Sequence, residues 1–290
     1  MTRVLVLGSA GMLGSMVAAV LAADGLDVIG AGRDRAPALD ARHDDIAELL
    51  AAVRPSWVIN AVGVLRSRID DGDSASIEEA IDVNGCFPHR VASAAAACGV
   101  RVIHPATDAV FDGQGGPYRE DAPHDAGDVY GQSKSLGEAP GEHVVNLRCS
   151  IVGPELGPPR SLLGWLLAQP DGARVRGYAD HRWNGITTLH FARLCGAIVR
   201  GAVLRGAGPR HRSVHVVPAD VVTKAELLRL LARAHGRDDI EIISGPSATP
   251  ADRSLGTLDP QRNARLWRAA GHARPPSIQT MVTELSQARQ

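Results

Sequence analysis

Tyrosine and lysine are both scarce in this 290-residue chain: three tyrosines, and two lysines among 31 basic residues. Aromatic residues make up only 3% of the sequence. Any motif that needs a tyrosine and a lysine at a fixed spacing therefore has few ways to arise by chance. Four cysteines, Cys86, Cys98, Cys149 and Cys195, are widely spaced with no CxxC pair. That spacing excludes a zinc ribbon and a disulfide framework, and a reducing cytoplasm is the expectation. No apolar run reaches the ~18 residues of a membrane span. The opening MTRVLVLGSAG enters a strand pattern at once, so no signal peptide is expected. An excess of positive charge is missing too: 31 Lys+Arg face 32 Asp+Glu, which argues against a general nucleic-acid binder. What remains is the ordinary mix of a globular protein, with 44% hydrophobic and 22% charged residues.

The first half alternates short apolar runs with longer amphipathic ones. Strands are expected at Arg3–Leu7, Asp27–Ala31, Trp57–Val62, Val100–Pro105 and His143–Leu147. Helices are expected at Met12–Ala23, Asp44–Val53 and, as one Ala-rich rod, Ser76–Cys98. Strands alternating with helices predict an α/β fold, a doubly wound parallel sheet covered on both faces. Residues 112–128 are rich in Gly, Pro and Asp and read as a long loop, which in a compact domain is usually functional. From about Ser150 the rhythm loosens, with breaks at Gly153–Arg160, Gly201–Arg212 and Gly245–Ala251. The expected division is 1–150 as a nucleotide-binding and catalytic domain and 151–290 as a smaller substrate-binding region, with late strands returning to the sheet.

Gly8, Gly11 and Gly14 form G-x-x-G-x-x-G between the first strand and the first helix. Glycines there allow a tight turn and close backbone approach to a pyrophosphate. Met12 and Leu13 then offer N–H groups at a positive helix end. The second strand ends GAGRDR rather than in an acidic residue. Arg33 can fork onto a 2′-phosphate, so NADPH is expected over NADH, which an acidic residue would favour; Arg35 is a second candidate. Asp40 is placed either to accept from the adenine amine or to start a helix. Asn60, Ala61 and Gly63 close the third strand with small residues over which a cofactor can lie, although packing alone would explain them.

Tyr130 and Lys134, in YGQSK, are four apart and share a helical face. Chance gives this spacing in about 2% of such chains. A free phenol has a pKa of about 10, and a nearby ammonium is expected to lower it, making Tyr130 a general acid or base toward a carbonyl. Thr107 follows the fourth strand, where its hydroxyl can donate to a carbonyl oxygen as charge develops.

The glycines, Thr107 and Tyr130-x-x-x-Lys134 together resemble the extended short-chain dehydrogenase/reductase superfamily, with its Rossmann fold. Thr107-Asp108-Ala109-Val110-Phe111-Asp112-Gly113, Pro117-Tyr118, Glu120-Asp121, Tyr130-Gly131-x-Ser133-Lys134-x-x-Gly137-Glu138 and Leu147-Arg148-Cys149-Ser150 narrow this to the dTDP-4-dehydrorhamnose reductase family. The resemblance covers residues 1–155 well and the rest loosely. It implies NADPH-dependent reduction of the 4-keto group of a nucleotide-linked deoxysugar. Tyr130 would protonate the alkoxide, Lys134 would hold the nicotinamide ribose and tune Tyr130, and Thr107 would polarise the carbonyl. Asp108 and Trp183 would join Thr107 and Tyr130 against the substrate, Asn84 would help a proton relay, and the enzyme would be a cytoplasmic homodimer. Ala109 departs from the family's aromatic residue, reshaping the sugar pocket. Ala109 also stands where related 4,6-dehydratases carry an acid, so dehydration is not expected. An epimerase with tightly held NAD and a non-catalytic regulatory subunit are the alternatives. His104, His124, His181 and His190 lack ligand spacing, and His211 and His215, four apart in a strand-like SVHVV stretch, would stand about 13 Å apart. No metal site is therefore expected.

Overall fold

The computed structural model describes residues 1–201 and 213–288. β1 (Arg3–Leu7) is apolar without alternation, as a strand covered on both faces requires. It leads into α1 (Met12–Ala23), β2 (Asp27–Ala31) and α2 (Ile46–Val53). Asp45 caps α2, accepting from the Ala47 N–H at 2.7 Å. β3 (Trp57–Asn60) follows, and then a long helical rod.

That rod is not one regular helix. It runs as α3 (Ser74–Ala80), a wide π-type turn over Ile81–Cys86, and α4 (Phe87–Ala97). The cause lies outside the rod. Asn84, within the wide turn, accepts from the Val64 N–H at 2.9 Å and donates to the Val64 carbonyl at 3.0 Å. β4 (Arg101–Ala106), α5 (Val129–Leu136) and β5 (Val144–Arg148) complete the first half.

The second half holds β6 (Ile151–Val152), α6 (Leu162–Leu167), β7 (Arg174–Tyr178), β8 (His181–Trp183), β9 (Ile186–Thr187) and α7 (Thr188–Val199). After them come β10 (Ser213–His215), β11 (Val222–Thr223), α8 (Lys224–Ala234), β12 (Glu241–Gly245), β13 (Ala251–Asp252), α9 (Pro260–Ala269) and α10 (Ile278–Gln287). The strand at SVHVV is β10; His211 and most of the Gly201–Arg212 break lie outside the described residues.

The central sheet has the order β10-β5-β4-β3-β1-β2, and every pairing in it is parallel. β1 lies between β2 and β3, with Leu7 opposite Ala31 on one side and Asn60 on the other. The chain therefore reverses its direction of travel across the sheet at β1, and a crevice opens beyond the carboxyl ends of β1 and β3. One apolar core fills the face under α1 and α7, around Val17, Leu21, Phe191 and Leu194. A second fills the face under α2 and α4, around Leu50, Phe87 and Val91. β10 belongs to residues 151–290 yet pairs with β5, so the later part of the chain completes the sheet. A small sheet, β11-β8-β13, stands apart from it. No helix among the described residues is long and apolar enough to cross a membrane.

Candidate active site

A cavity of about 860 Å³ occupies the crevice. Its floor at the nucleotide end is the turn from β1 to α1. Gly8 has φ +76, and a Cβ there would press within 2.9 Å of the Ala61 carbonyl. At Gly14 a Cβ would sit 2.2 Å from the Gly8 carbonyl oxygen, so Gly14 serves the packing of α1 against the turn rather than the cavity wall. Gly11, Met12 and Leu13 line the cavity. No side chain caps α1 and no acidic residue stands in its first turn. Its free N–H groups and positive end therefore fit a pyrophosphate. Sequence reasoning missed Gly30, where a Cβ would fall 2.5 Å from the Ser9 hydroxyl oxygen. Only the placement of β2 against the glycine turn reveals it.

Arg33 and Asp40 line the far end of the cavity; Arg35 is not among its lining residues. Asp40 does not start the helix, since that cap is Asp45. The Asp40 carboxylate instead accepts from the Arg42 N–H at 2.8 Å, closing a turn. Asn60, Ala61 and Gly63 line the middle of the cavity, beside the chain leaving β3.

The chemical end is built from β4 and α5, and the cavity reaches Thr107, Asp108, Tyr130 and Lys134. Thr107 leaves β4 in an extended conformation and caps a short turn, accepting from the Ala109 N–H at 3.2 Å. Its hydroxyl also donates to Asp108 Oδ1 at 3.3 Å. Asp108, half-buried beside it, has its carboxyl pKa pushed up by desolvation, with Lys224 and Arg253 opposing. Asp128 caps α5, accepting from the Gly131 N–H at 2.7 Å, and so fixes where the helix begins. Tyr130 and Lys134 then lie one turn apart on the cavity face.

The Thr107 hydroxyl lies near enough to the Tyr130 phenol to act on it. Its pKa is pushed up to about 12, chiefly by burial, with Asp108 and Asp128 adding to the shift and Thr107 opposing it. This runs opposite to the lowering expected from Lys134. The Lys134 ammonium donates to the Pro105 carbonyl at 3.3 Å, and its own pKa falls to about 8 through burial, with Glu138 opposing. Desolvation of the phenolate dominates, and Lys134 is not among the groups that act on it.

Beneath α5 lies a buried polar network. Glu138 and Arg148 form an ion pair with side chains 2% and 1% exposed, and the Ser213 hydroxyl donates to Glu138. Arg148 Nη1 contacts His215 Nε2 at 3.1 Å. Glu120 accepts from the Leu258 N–H at 2.7 Å and the Thr257 hydroxyl at 2.8 Å, and pairs with Arg262 at 3.3 Å. These contacts bind the end of α5 and the long loop to β5, β10 and the start of α9.

Of two further residues carried over from the resemblance, Asn84 lines the cavity and Trp183 does not. Trp183 is buried and is not among the cavity's lining residues; its indole donates to the Ser150 hydroxyl at 2.8 Å, and Ser150 does line the cavity. Asn84 spends its side chain on Val64 and Ser133. His190 is not isolated, as its spacing implied: its ring nitrogen, His272 and Glu284 bring donor atoms within 4.8 Å of one another. Arg193 already pairs with that carboxylate.

The matching family model is the RmlD substrate binding domain, over residues 1–153. The dTDP-4-dehydrorhamnose reductase of Mycobacterium tuberculosis (strain H37Rv) is 34% identical, covering 93% of this chain and 87% of that protein. The dTDP-4-dehydrorhamnose reductase of Streptomyces griseus is 36% identical over 47% of this chain, and the match spans less than half of that relative, 43% of its length. The crystal structure of dTDP-4-dehydrorhamnose reductase from Bacillus anthracis in complex with NADP superposes with TM-score 0.79 at 17% identity, covering 99% of this chain and all of the other. Fold and site thus define an α/β protein of the extended short-chain dehydrogenase/reductase superfamily. Within it, the chain belongs to the RmlD, or dTDP-4-dehydrorhamnose reductase, family.

Proposed function

We propose that this protein reduces the 4-keto group of a nucleotide-linked deoxysugar, with NADPH as reductant. One observation carries the reading. A protonated phenol, beside a threonine and one helical turn from a lysine, stands at one end of a cavity whose other end is a glycine turn and an uncapped helix.

When bound, the nicotinamide supplies hydride to the carbonyl carbon. Thr107 donates a hydrogen bond to the carbonyl oxygen as negative charge grows on it. Tyr130 then hands its phenolic proton to that oxygen. A phenol held at about 12 remains loaded with its proton throughout neutral pH, the state that a donor needs. An epimerase would keep NAD tightly bound, and Arg33, placed for a 2′-phosphate, tilts against it. Lys134 stays largely protonated at neutral pH and can hold the nicotinamide ribose through its remaining donors. Arg33 would grip the 2′-phosphate of NADPH, with Asp40 near the adenine.

The reading also carries the division into residues 1–150 and 151–290, a homodimeric state and a cytoplasmic setting. The four free cysteines fit a reducing compartment. The test is NADPH oxidation by the purified protein against dTDP-, UDP- and GDP-linked 4-keto-sugars. Turnover of at least one, faster with NADPH than with NADH, is the expected result. Retention of NAD through purification, with sugar interconversion and no net oxidation, would refute it.

A further inference from the structure

A charged cluster beyond Asp108 has no part in the chemistry above. Asp108 follows Thr107 at the carboxyl end of β4, and two cations from the later half of the chain, Lys224 and Arg253, act on its carboxyl. The small β11-β8-β13 sheet delivers them. Lys224 directly follows β11 and Arg253 directly follows β13, on either side of β8, which ends at Trp183. Arg253 is tethered, its guanidinium donating to the Phe111 carbonyl at 2.7 Å and the Asp112 carbonyl at 3.1 Å. Lys224 is not. Its ammonium lies 5.6 Å from the centroid of the Trp183 ring and, among the described residues, has no hydrogen-bond acceptor.

An ammonium carries three donors, and leaving them unfilled in a half-buried place is costly. Burial already pulls the Lys224 pKa down, with Asp108 opposing. Two cations against one carboxylate leave a net positive charge behind Asp108; Asp108 lines the cavity, and Lys224 and Arg253 stand just outside its lining.

We propose that Lys224, backed by Arg253, forms an oxyanion-binding subsite that grips an anionic group of the substrate. This rests on the reductase reading for the position of the reacting carbon. The shared chemistry is an anionic oxygen cluster, either the diphosphate linking nucleoside to sugar or a carboxylate carried by the sugar. Lys224 is a binding and specificity residue here and takes no proton-transfer role.

The test compares the wild-type chain with Lys224→Met, which keeps an apolar stem against Trp183, and Lys224→Arg, which keeps the charge. Calorimetry with NADP⁺ present measures the Kd of dTDP, UDP and paired neutral and uronate nucleotide sugars, beside kcat and KM for any substrate that turns over. One charge-assisted hydrogen bond predicts a loss of about tenfold to a hundredfold in Lys224→Met, with cofactor Kd unchanged and affinity largely restored in Lys224→Arg. If the diphosphate is held, the free nucleoside diphosphates and every nucleotide sugar weaken together. If a sugar carboxylate is held, only the uronates weaken. Changes below about twofold throughout would overturn the subsite, as would Lys224→Arg losing as much as Lys224→Met, or a wild-type chain that binds none of these ligands. A wild-type chain that binds them through Lys224 but reduces nothing keeps the subsite and discards the reductase reading.

Discussion

Replacing Tyr130 with phenylalanine deletes one oxygen from the reaction end of the cavity and little else. Its neighbour Thr107 keeps its contacts to Asp108 at 3.3 Å and to the Ala109 N–H at 3.2 Å. The folded state loses no more than the worth of one hydrogen bond, about 1 kcal/mol, which in a domain of this size lowers Tm by at most a few degrees, roughly 2–4 °C. The nucleotide end, from Gly8 to Arg33, is untouched, so the NADPH Kd stays within about twofold. Turnover responds on a different scale. Loss of a positioned proton donor costs about 10²–10⁴ in kcat, or roughly 3–5 kcal/mol of barrier. The catalytic loss thus exceeds the stability loss by more than a factor of two, and the two are separable. Steady-state NADPH oxidation, cofactor titration by fluorescence and a thermal melt on one preparation give all three numbers. A Tyr130→Phe protein that binds NADPH normally and keeps kcat within threefold would refute Tyr130 as the donor.

Arg33→Ala should weaken NADPH by about tenfold or more while leaving NADH unchanged, as loss of a phosphate contact requires; equal loss for both cofactors in a titration would contradict it. Burial is the main cause that lowers His190 to about 3 and His215 to about 4, both below the ordinary 6.5. Each ring is neutral in the folded chain and charged in the unfolded one between those values, so their contribution is intact above about pH 6.5 and is lost as pH falls below it. With both titrating, the unfolding free energy should drop by up to about 2.7 kcal/mol per pH unit toward pH 4.5, read as a falling urea midpoint; a flat profile between about pH 7 and pH 5 would count against the assignment. Glu138→Gln strands the buried Arg148 charge and should destabilise the fold by about 3 kcal/mol in urea titrations, whereas a cost under about 1 kcal/mol would mean that water reaches the pair.

What the sequence showed was what backbone and local spacing demand. The glycine turn was legible because Gly8 and Gly14 answer to distances within one strand-turn-helix unit. Tyr130 and Lys134 were legible because a helix places residues four apart on one face. The wide turn at Ile81–Cys86 was not, since its cause, the grip of Asn84 on Val64, lies 20 residues away in the chain. The same grip fixes Asn84 where it lines the cavity, in contact with Ser133. Trp183, Lys224 and Arg253 meet only because β8 pairs with both β11 and β13, pairings that no local pattern announces. The shift of Tyr130 was misjudged for a related reason: spacing reveals a neighbouring charge but says nothing of desolvation.

That shift bears on the direction in which the site works. In reduction the tyrosine must begin as a phenol, and in oxidation as a phenolate. At about 12, burial fixes the first state and makes the second rare at neutral pH. Lys134, held to about 8, keeps its charge at neutral pH and loses it on the alkaline side, where the phenolate would otherwise begin to gain. The two shifts therefore act together. Raising the pH removes the ammonium before the phenol itself can ionise. Burial of both groups against β4 thus holds Tyr130 as a loaded proton donor at neutral pH, while the balance between ketone and alcohol is set by the substrate and cofactor concentrations.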